Sequence, residues 1–443
     1  MTVVKAETAP YFEAFRARPH DAEEPRWLAA RREAALLRFG ELGFPTRRQE
    51  AWRFTNLRPL QGTNFAPATG IAAVAPAVVE ALRLSDATHR LVFVNGRFAP
   101  ELSLLSVVPA GAWLATARRT LDERPELLEA AVDDSDTAGA QPFASLNAAF
   151  FADGFVLALE PGVVLDRPVQ IVHVGRAATP AQAAHVRNLV LLREGSRATV
   201  IENFTGEGAY WSNSVTALSL GERAALRRIK VQDDGRDAIH FAVDRVTLGD
   251  DTRYESFVLT LGARLARHDT LALIAGERAH CAVHGAYLLR GEQEATNATA
   301  IDHAASHGTT REVWMGVVDD RAHGVFLGRI AVRPAGQKTD AEQLNRNVLL
   351  SPRATVDTKP ELEILADDVK CSHGATVGDL DENALFYLRT RGISEADARR
   401  MLIDAFTAEA IATVEDVGLR DYLAAHVQRW LSQDGDARRE GVS

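Results

Sequence analysis

Cysteine is nearly absent. There are two in 443 residues, too few for a disulfide framework and not paired at zinc or iron–sulfur spacing. Lysine is almost as scarce, at positions 5, 230, 338, 359 and 370, so most of the 50 basic residues are arginine. They are outnumbered by 60 acidic residues, and the net charge is -10. That balance excludes the basic surface needed for non-specific binding to nucleic acid or anionic membranes. No run approaches the roughly 18 apolar residues of a membrane-spanning helix. The start, MTVVKAETAP, lacks the apolar core of a secretory signal. The chain contains no Gly-Lys dipeptide, hence no P-loop, and no H-E-x-x-H, G-x-S-x-G or dinucleotide fingerprint. These absences predict a reduced, cytoplasmic protein that does not hydrolyse nucleotides by the P-loop route.

What is present is ordinary globular material, 46% apolar and 25% charged, long enough for two or three domains. Three textures follow one another. Residues 1–150 read as an N-terminal, mainly helical region. In PRWLAARREAALLRFGELGFP, Pro25 opens a helix that Gly40 and Gly43 close, with Trp27, Leu28, Leu36, Leu37 and Phe39 as its apolar stripe. Thr120–Asp136 reads as a second helical piece with an acidic tail, and RLVFVNGRFAPEL as a hairpin around Asn95-Gly96.

From 151 to 378 the helical period vanishes, and short Val/Ile/Leu/Thr/Tyr runs alternate with turn residues. Glycines at 195, 208, 221, 235, 249, 262 and 276 recur every 13 or 14 residues, one strand plus one turn. So regular a repeat predicts a stacked mainly β architecture, a solenoid or a large sandwich, with the glycines at corners where positive φ is tolerated. Without crossover helices a doubly wound α/β fold is excluded. Residues 379–443 are helical again. Asp381 caps ENALFYLRTR, Gly392 ends it, and Ser394 with Asp397 opens a helix whose Leu402, Phe406 and Ala410 share a face. LRDYLAAHVQRWL supplies a third segment. Together these carry more apolar face than one small helical domain can bury, which predicts a docking surface.

Chemistry-bearing residues are few. Doubled aspartates at 233–234, 250–251, 319–320 and 367–368 fit turn capping, with an acid–base pair of a polysaccharide-acting enzyme as the rival reading. His280 with His284, and His303 with His307, share a face but lack a fixed third ligand. The stretch DVKCSHGATV differs. As a strand it puts Val369, Cys371, His373, Ala375 and Val377 in one phase, with Cys371 and His373 about 6.6 Å apart. A cysteine there is a small buried hydrophobe or a thiolate ligand; a histidine needs hydrogen bonds or a metal.

Gly328 to Phe406 closely resembles the shared C-terminal signature of the SufB/SufD family of iron–sulfur assembly scaffolds. The residues Q-K-T-D, K-P-E-L-E-I, C-S-H-G-A-T and Y-L-R-T-R-G-I occur in the family's order. GFPTRRQEAWRFTNLRPL (Gly43 to Leu60) is similar to an N-terminal element of the family's SufD branch, and the extra cysteines of the SufB branch are missing. The resemblance implies a right-handed parallel β-helix core flanked by helical regions, and a non-enzymatic scaffold role in the SUF system. It implies a complex with SufB, formed through the C-terminal edge of the β-helix, and with the ATPase SufC. A SufB-like or homodimeric scaffold, formed by the isolated chain, is the alternative. By the same resemblance, His373 and Cys371 are the residues for iron or a transient Fe–S cluster shared with the partner chain. Phe386, Tyr387, Leu388, Arg391, Gly392 and Ile393 are the expected SufC docking surface.

Overall fold

The computed structural model of the chain describes residues 5, 7–18, 24–63, 65–84, 89–132 and 141–440. From Phe155 to Asp379 the backbone winds into a parallel β-helix of about 8 turns. Successive strands alternate between two sheets, so each strand pairs with those two places before and after it. The first sheet runs from Phe155–Leu159 to Thr355–Ile364 and the second from Val169–Arg176 to Lys370–Asp379. In the second sheet Ala225 is level with Arg253, Arg253 with His280, His280 with Thr309, Thr309 with Asp340, and Asp340 with Lys370. Parallel pairing at every coil is what a solenoid requires, whereas a sandwich would show antiparallel hairpins.

The spaced glycines lie in the turns, but mostly for a different reason from the one expected. Gly195 and Gly208 have φ of 65° and 78°, whereas in later turns the positive φ falls on neighbours such as Arg223, Asp251, Ala263 and Arg278. The glycines there keep successive turns close. A Cβ on Gly276 would stand 2.1 Å from the Asp250 nitrogen, and one on Gly262 2.2 Å from the Asp234 oxygen. Stacking distance, not backbone twist, requires glycine at these corners.

The interior holds one continuous apolar cluster, including Val200, Leu226, Tyr254, Cys281, Trp314 and Phe326. Its other half is polar. Arg228 Nε meets Glu202 Oε1 at 2.6 Å, and Asp244 from the opposite sheet meets Arg228 Nη1 at 2.5 Å and Lys230 Nζ at 3.1 Å. All four side chains are buried, so each charge is costly alone and acceptable only as a set. Burial would raise the Asp244 carboxyl, but Arg228 and Lys230 hold it well below its usual range.

Segments outside the β-helix complete it. The hairpin around Asn95-Gly96 forms with both residues at positive φ, pairing Val94 with Arg97, and His89–Val94 extends the second sheet. Ala112–Thr116 pairs antiparallel with Phe155–Leu159, so strands from before residue 150 enter both sheets. The Thr120–Asp136 stretch forms two helices, Ala117–Glu123 and Pro125–Ala131, divided at Pro125, which donates no backbone hydrogen bond. Residues 133–136 of that expected piece lie outside the described residues. Helices Arg26–Leu42 and Pro142–Phe150 cover the first sheet's outer face, where Phe39, Trp52 and Phe143 meet Trp211 and Phe241. The element from Gly43 to Leu60 is a brace on the same face. Trp52 stacks on the Arg267 guanidinium at 3.9 Å, and Thr55 bonds Thr296 at 3.0 Å.

The C-terminal helices depart from a separate bundle. Glu395–Ile411 and Val417–Glu440 lie on the second sheet's outer face, burying Ile403, Ile411, Leu423, Val427 and Trp430 against Ile229, Phe257, Leu259 and Leu288. The buried stripe of the second helix is Ile403, Thr407, Ala410 and Ile411; Leu402 and Phe406 are only half-buried beside it. Most of the apolar face that looked surplus is therefore used by the β-helix itself. Only the first helix, Glu382–Thr390, buries no residue. Among the described residues no helix is long and apolar enough to cross a membrane.

Candidate functional site

Lys370–Asp379 is the last strand of the second sheet, and among the described residues nothing pairs with its far edge. Its register places Cys371 on Ala341, His373 on Gln343, Ala375 on Asn345 and Val377 on Asn347. The common phase of Cys371, His373 and Val377 therefore continues the columns that line the interior. No coil follows, so this phase is only partly covered. Cys371 is half-buried against the core, whereas His373 is exposed and Val377 is 45% exposed. Burial raises the Cys371 thiol, the Ala341 backbone bond opposes this, and Asp340 adds to the rise. Cys371 is thus held protonated until something cationic, such as a metal, favours the thiolate. The other cysteine, Cys281, stands in the same column, level with Thr310 and fully buried. Burial pushes its thiol far above the usual range, which leaves it inert.

The structure brings Cys371 and His373 to one edge, where they offer a soft thiolate and an imidazole. Among the described residues no group of three or more His, Cys, Asp or Glu is arranged to hold a metal ion. Two donors from this chain leave a four-coordinate iron or cluster short of ligands, which a second chain would have to supply.

The other candidate histidines are occupied in hydrogen bonds within the fold. His280 Nδ1 is 2.8 Å from Thr309 Oγ1, His284 Nδ1 accepts from the Val313 amide at 3.0 Å, and His303 Nε2 is 2.8 Å from Thr310 Oγ1. His307 sits in a turn at φ 59° beside Ser306. Burial holds His284 and His303 down at about 4, so neither is charged at neutral pH. The doubled aspartates mostly serve turns, as Asp250 Oδ1 accepts from the Glu277 amide at 2.7 Å and Asp320 Oδ2 from Gly291 at 2.9 Å. Asp234 is the exception, buried with Tyr210 at 2.6 Å and with His240 Nδ1 at 3.0 Å.

Beyond the open coil, Asp381 Oδ1 caps the first C-terminal helix by accepting from Asn383 at 2.8 Å and Ala384 at 3.2 Å. Phe386 and Tyr387 are 69% and 56% exposed, and Arg391 stacks on the Tyr387 ring at 5.1 Å. Gly392, at φ 85°, turns the chain so that Ile393 donates back to the Leu388 carbonyl at 3.3 Å; Leu388 and Ile393 are half-buried. All six expected docking residues thus lie on one short helix and its stop. A groove of about 380 Å³ adjoins it, lined by Arg346, Val377, Leu380, Leu402, Phe406 and Glu409.

Sequence reasoning missed the buried partners behind the site. Gln343, level with His373, donates its Nε2 to Glu312 Oε2 at 2.6 Å, and Glu312 is one coil further in. Burial raises the Glu312 carboxyl to about 7, against the opposing effect of the Gln343 hydrogen bond and the nearby Thr299 hydroxyl. The available signal was the alternation Thr310, Glu312, Trp314, which puts a carboxylate in the phase of a large apolar residue.

Comparison with known proteins agrees with this architecture. Residues 173–406 match the family model described as SUF system FeS cluster assembly, SufBD core domain, and residues 7–171 match the SufBD protein N-terminal region. An iron–sulfur cluster assembly SufBD family protein of Synechocystis sp. is 33% identical over 411 residues, covering 89% of each chain. The iron–sulfur cluster assembly protein SufD of Escherichia coli K12 is 32% identical over 393 residues, 88% of this chain and 90% of the relative. SufD of Bacillus subtilis is 25% identical over 418 residues, 92% of this chain and 94% of the relative.

Proposed function

The chain belongs to the SufBD family of SUF-system iron–sulfur cluster assembly proteins, and from that premise we propose that it is a scaffold subunit completed by a partner chain. The observation that carries this reading is the open last coil. It presents Cys371 and His373 at a strand edge with which no described residue pairs, in columns that in the inner coils are covered by the next strand. Natural proteins pair or cover such edges. SufB, the related branch of the family, is the partner that can continue the ladder. Pairing there would place its ligands beside His373.

The iron–sulfur cluster is cargo in this reading, not a resident group. An imidazole with a partner's thiolates holds iron less tenaciously than four cysteines would, which suits a cluster that must be handed on. The exposed Phe386 and Tyr387, with Leu388, Arg391, Gly392 and Ile393, would dock the ATPase SufC. A chain without a P-loop needs a separate nucleotide engine. Covering two exposed aromatics is the expected source of affinity, since such residues dominate interface energetics.

The test is anaerobic co-expression with SufB and SufC. His373→Ala should leave the three-protein complex intact and sharply lower its iron and sulfide content, with Cys371→Ser milder. A complex of His373→Ala with an undiminished cluster would remove His373 from the site. Phe386→Asp should release SufC while SufB remains bound; retention of SufC would exclude the first helix as its docking surface.

A further inference from the structure

The interior columns do not stop being chemically interesting one coil below the edge. In the second sheet Val283 occupies one coil, Glu312 the next, Gln343 the next and His373 the last, the final three aligned residue on residue. Glu312 is 1% exposed and Gln343 2%. Gln343 Nε2 donates to Glu312 Oε2 at 2.6 Å, while Gln343 Oε1 is buried with no hydrogen-bond partner among the described residues. An amide carbonyl left unpaired in the interior is costly, and here it belongs to the residue directly behind His373. Space for this side chain is made from the opposite sheet. A Cβ on Gly328 would come within 2.2 Å of Gln343 Nε2.

We propose that Glu312 and Gln343 form a positioning relay behind His373, in which the proton on Glu312 decides whether the Gln343 amide offers the last coil its carbonyl or its NH2. This rests on the reading of His373 as the residue that meets iron. With Glu312 ionised, Gln343 must donate to it, as observed, and its carbonyl, unpaired among the described residues, is left free to accept from the near N–H of the His373 ring when the ring turns towards it. The lone pair on the far ring nitrogen then points outward. With Glu312 protonated, its O–H donates to the Gln343 carbonyl, the amide turns over, and its NH2 donates to the near ring nitrogen. The ring proton then sits on the outward nitrogen, where it blocks a metal. Hydrogen bonds to one ring nitrogen set the state of the other in just this way at metal-binding histidines.

The groups acting on Glu312 permit such a switch. Gln343 donates to it, and Thr299 and Cys281 lie near enough to affect or be affected by its charge, but none of these is a cation. Cys281 remains a neutral thiol, and burial places the Glu312 transition at about 7. The deeper charges Arg228, Lys230, Asp244 and Glu202 are paired with one another.

The test is imidazole tautomer measurement on the full-length chain, labelled with 15N-histidine, by long-range proton–nitrogen correlation. The His373 signal is assigned by its loss in His373→Ala. Between about pH 6.5 and about pH 8.5 the wild-type ring should exchange one dominant tautomer for the other. Glu312→Gln should abolish that exchange, and Gln343→Leu should give a pH-independent mixture. Zn2+ used as a probe should bind the wild-type chain about tenfold more tightly at the upper pH than at the lower, beyond the change seen in Glu312→Gln. If Glu312→Gln does not fold, judged by its thermal transition, Gln343→Leu carries the same comparison. A tautomer exchange that is absent, or that persists unchanged in both variants, overturns the relay while leaving the His373 site standing. An unimpaired cluster in the His373→Ala complex removes the site the relay serves.

Discussion

The two ends of the β-helix are built differently. At the N-terminal end both sheets are turned back on themselves, by Arg97–Phe98 on His89–Val94 and by Ala112–Thr116 on Phe155–Leu159. Phe155–Leu159 is buried along its whole length. At the C-terminal end, Thr355–Ile364 and Lys370–Asp379 contain no buried residue. Their inward phase is also less apolar, with Thr358 and His373 where inner coils carry Phe326 or Val283. The first end is finished by its own chain, whereas the second keeps ladder hydrogen bonds and two metal-capable side chains uncommitted. An edge of this kind is a liability in a lone protein and an asset in one that must assemble.

The comparison is sharpened most by core truncation. Trp314→Ala should cost about 3–5 kcal/mol in denaturant unfolding, because Trp314 is enclosed by coils on both sides. Val377→Ala, in the same inward phase at the open end, should cost under about 0.5 kcal/mol. Comparable losses at the two positions would mean that the last coil is covered in the isolated chain. Loss of the second and third C-terminal helices belongs with the large effects too. Removing residues 394–443 would bare Ile229, Phe257, Leu259 and Leu288, so that deletion should give an aggregating or unfolded product in size-exclusion chromatography.

Acid and base should act oppositely on the two ends. His173, stacked between Phe93 and Phe204, is held down at about 4 by burial, with Glu202 partly opposing. Its folded pKa lies below the unfolded value of 6.5, so its contribution is intact above 6.5 and is lost as pH falls towards about 4. Glu312 is the reverse case. Its folded pKa of about 7 exceeds the unfolded 4.5, so its contribution is full below 4.5 and is lost as pH rises through about 7. Each is worth on the order of 3 kcal/mol across its window. Melting curves should therefore show His173→Phe resisting acid better than wild type, and Glu312→Gln holding its stability better above neutrality. Parallel wild-type and variant curves would show that folding shifts the pKa of neither group.

Glycine substitutions provide the smallest contrast. Gly276→Ala forces a Cβ to within 2.1 Å of the Asp250 backbone and should cost about 1–3 kcal/mol. At Gly378 a Cβ would meet nothing within 4 Å. Gly378→Ala should fall within about 0.5 kcal/mol of wild type, unless a partner fills that space, in which case binding and not folding would register the change.

Much of this was legible in the chain. Strand-plus-turn spacing, the Asn95-Gly96 hairpin, the Asp381 and Ser394 caps and the helix starting after Pro25 are local matters, decided by φ preferences and hydrogen bonds within a few residues. Period-two alternation likewise put Cys371 and His373 on one face. Alternation does not say which face is inside. In ALRRIKVQDD, Ile229 and Val231 are the more apolar phase, yet they face outward beneath helices more than 160 residues later, while Arg228 and Lys230 turn inward to Asp244. The choice between faces was settled by covering elements distant in sequence, and so was the use of the C-terminal apolar stripes. The pairing of Gln343 with Glu312 behind His373 depends in the same way on coil-to-coil register, set by turn lengths summed along the solenoid. The sequence by itself determined the strands, their turns and the residues at the open edge. Tertiary structure decided which side of each strand is dry, because burial depends on what arrives from elsewhere in the chain.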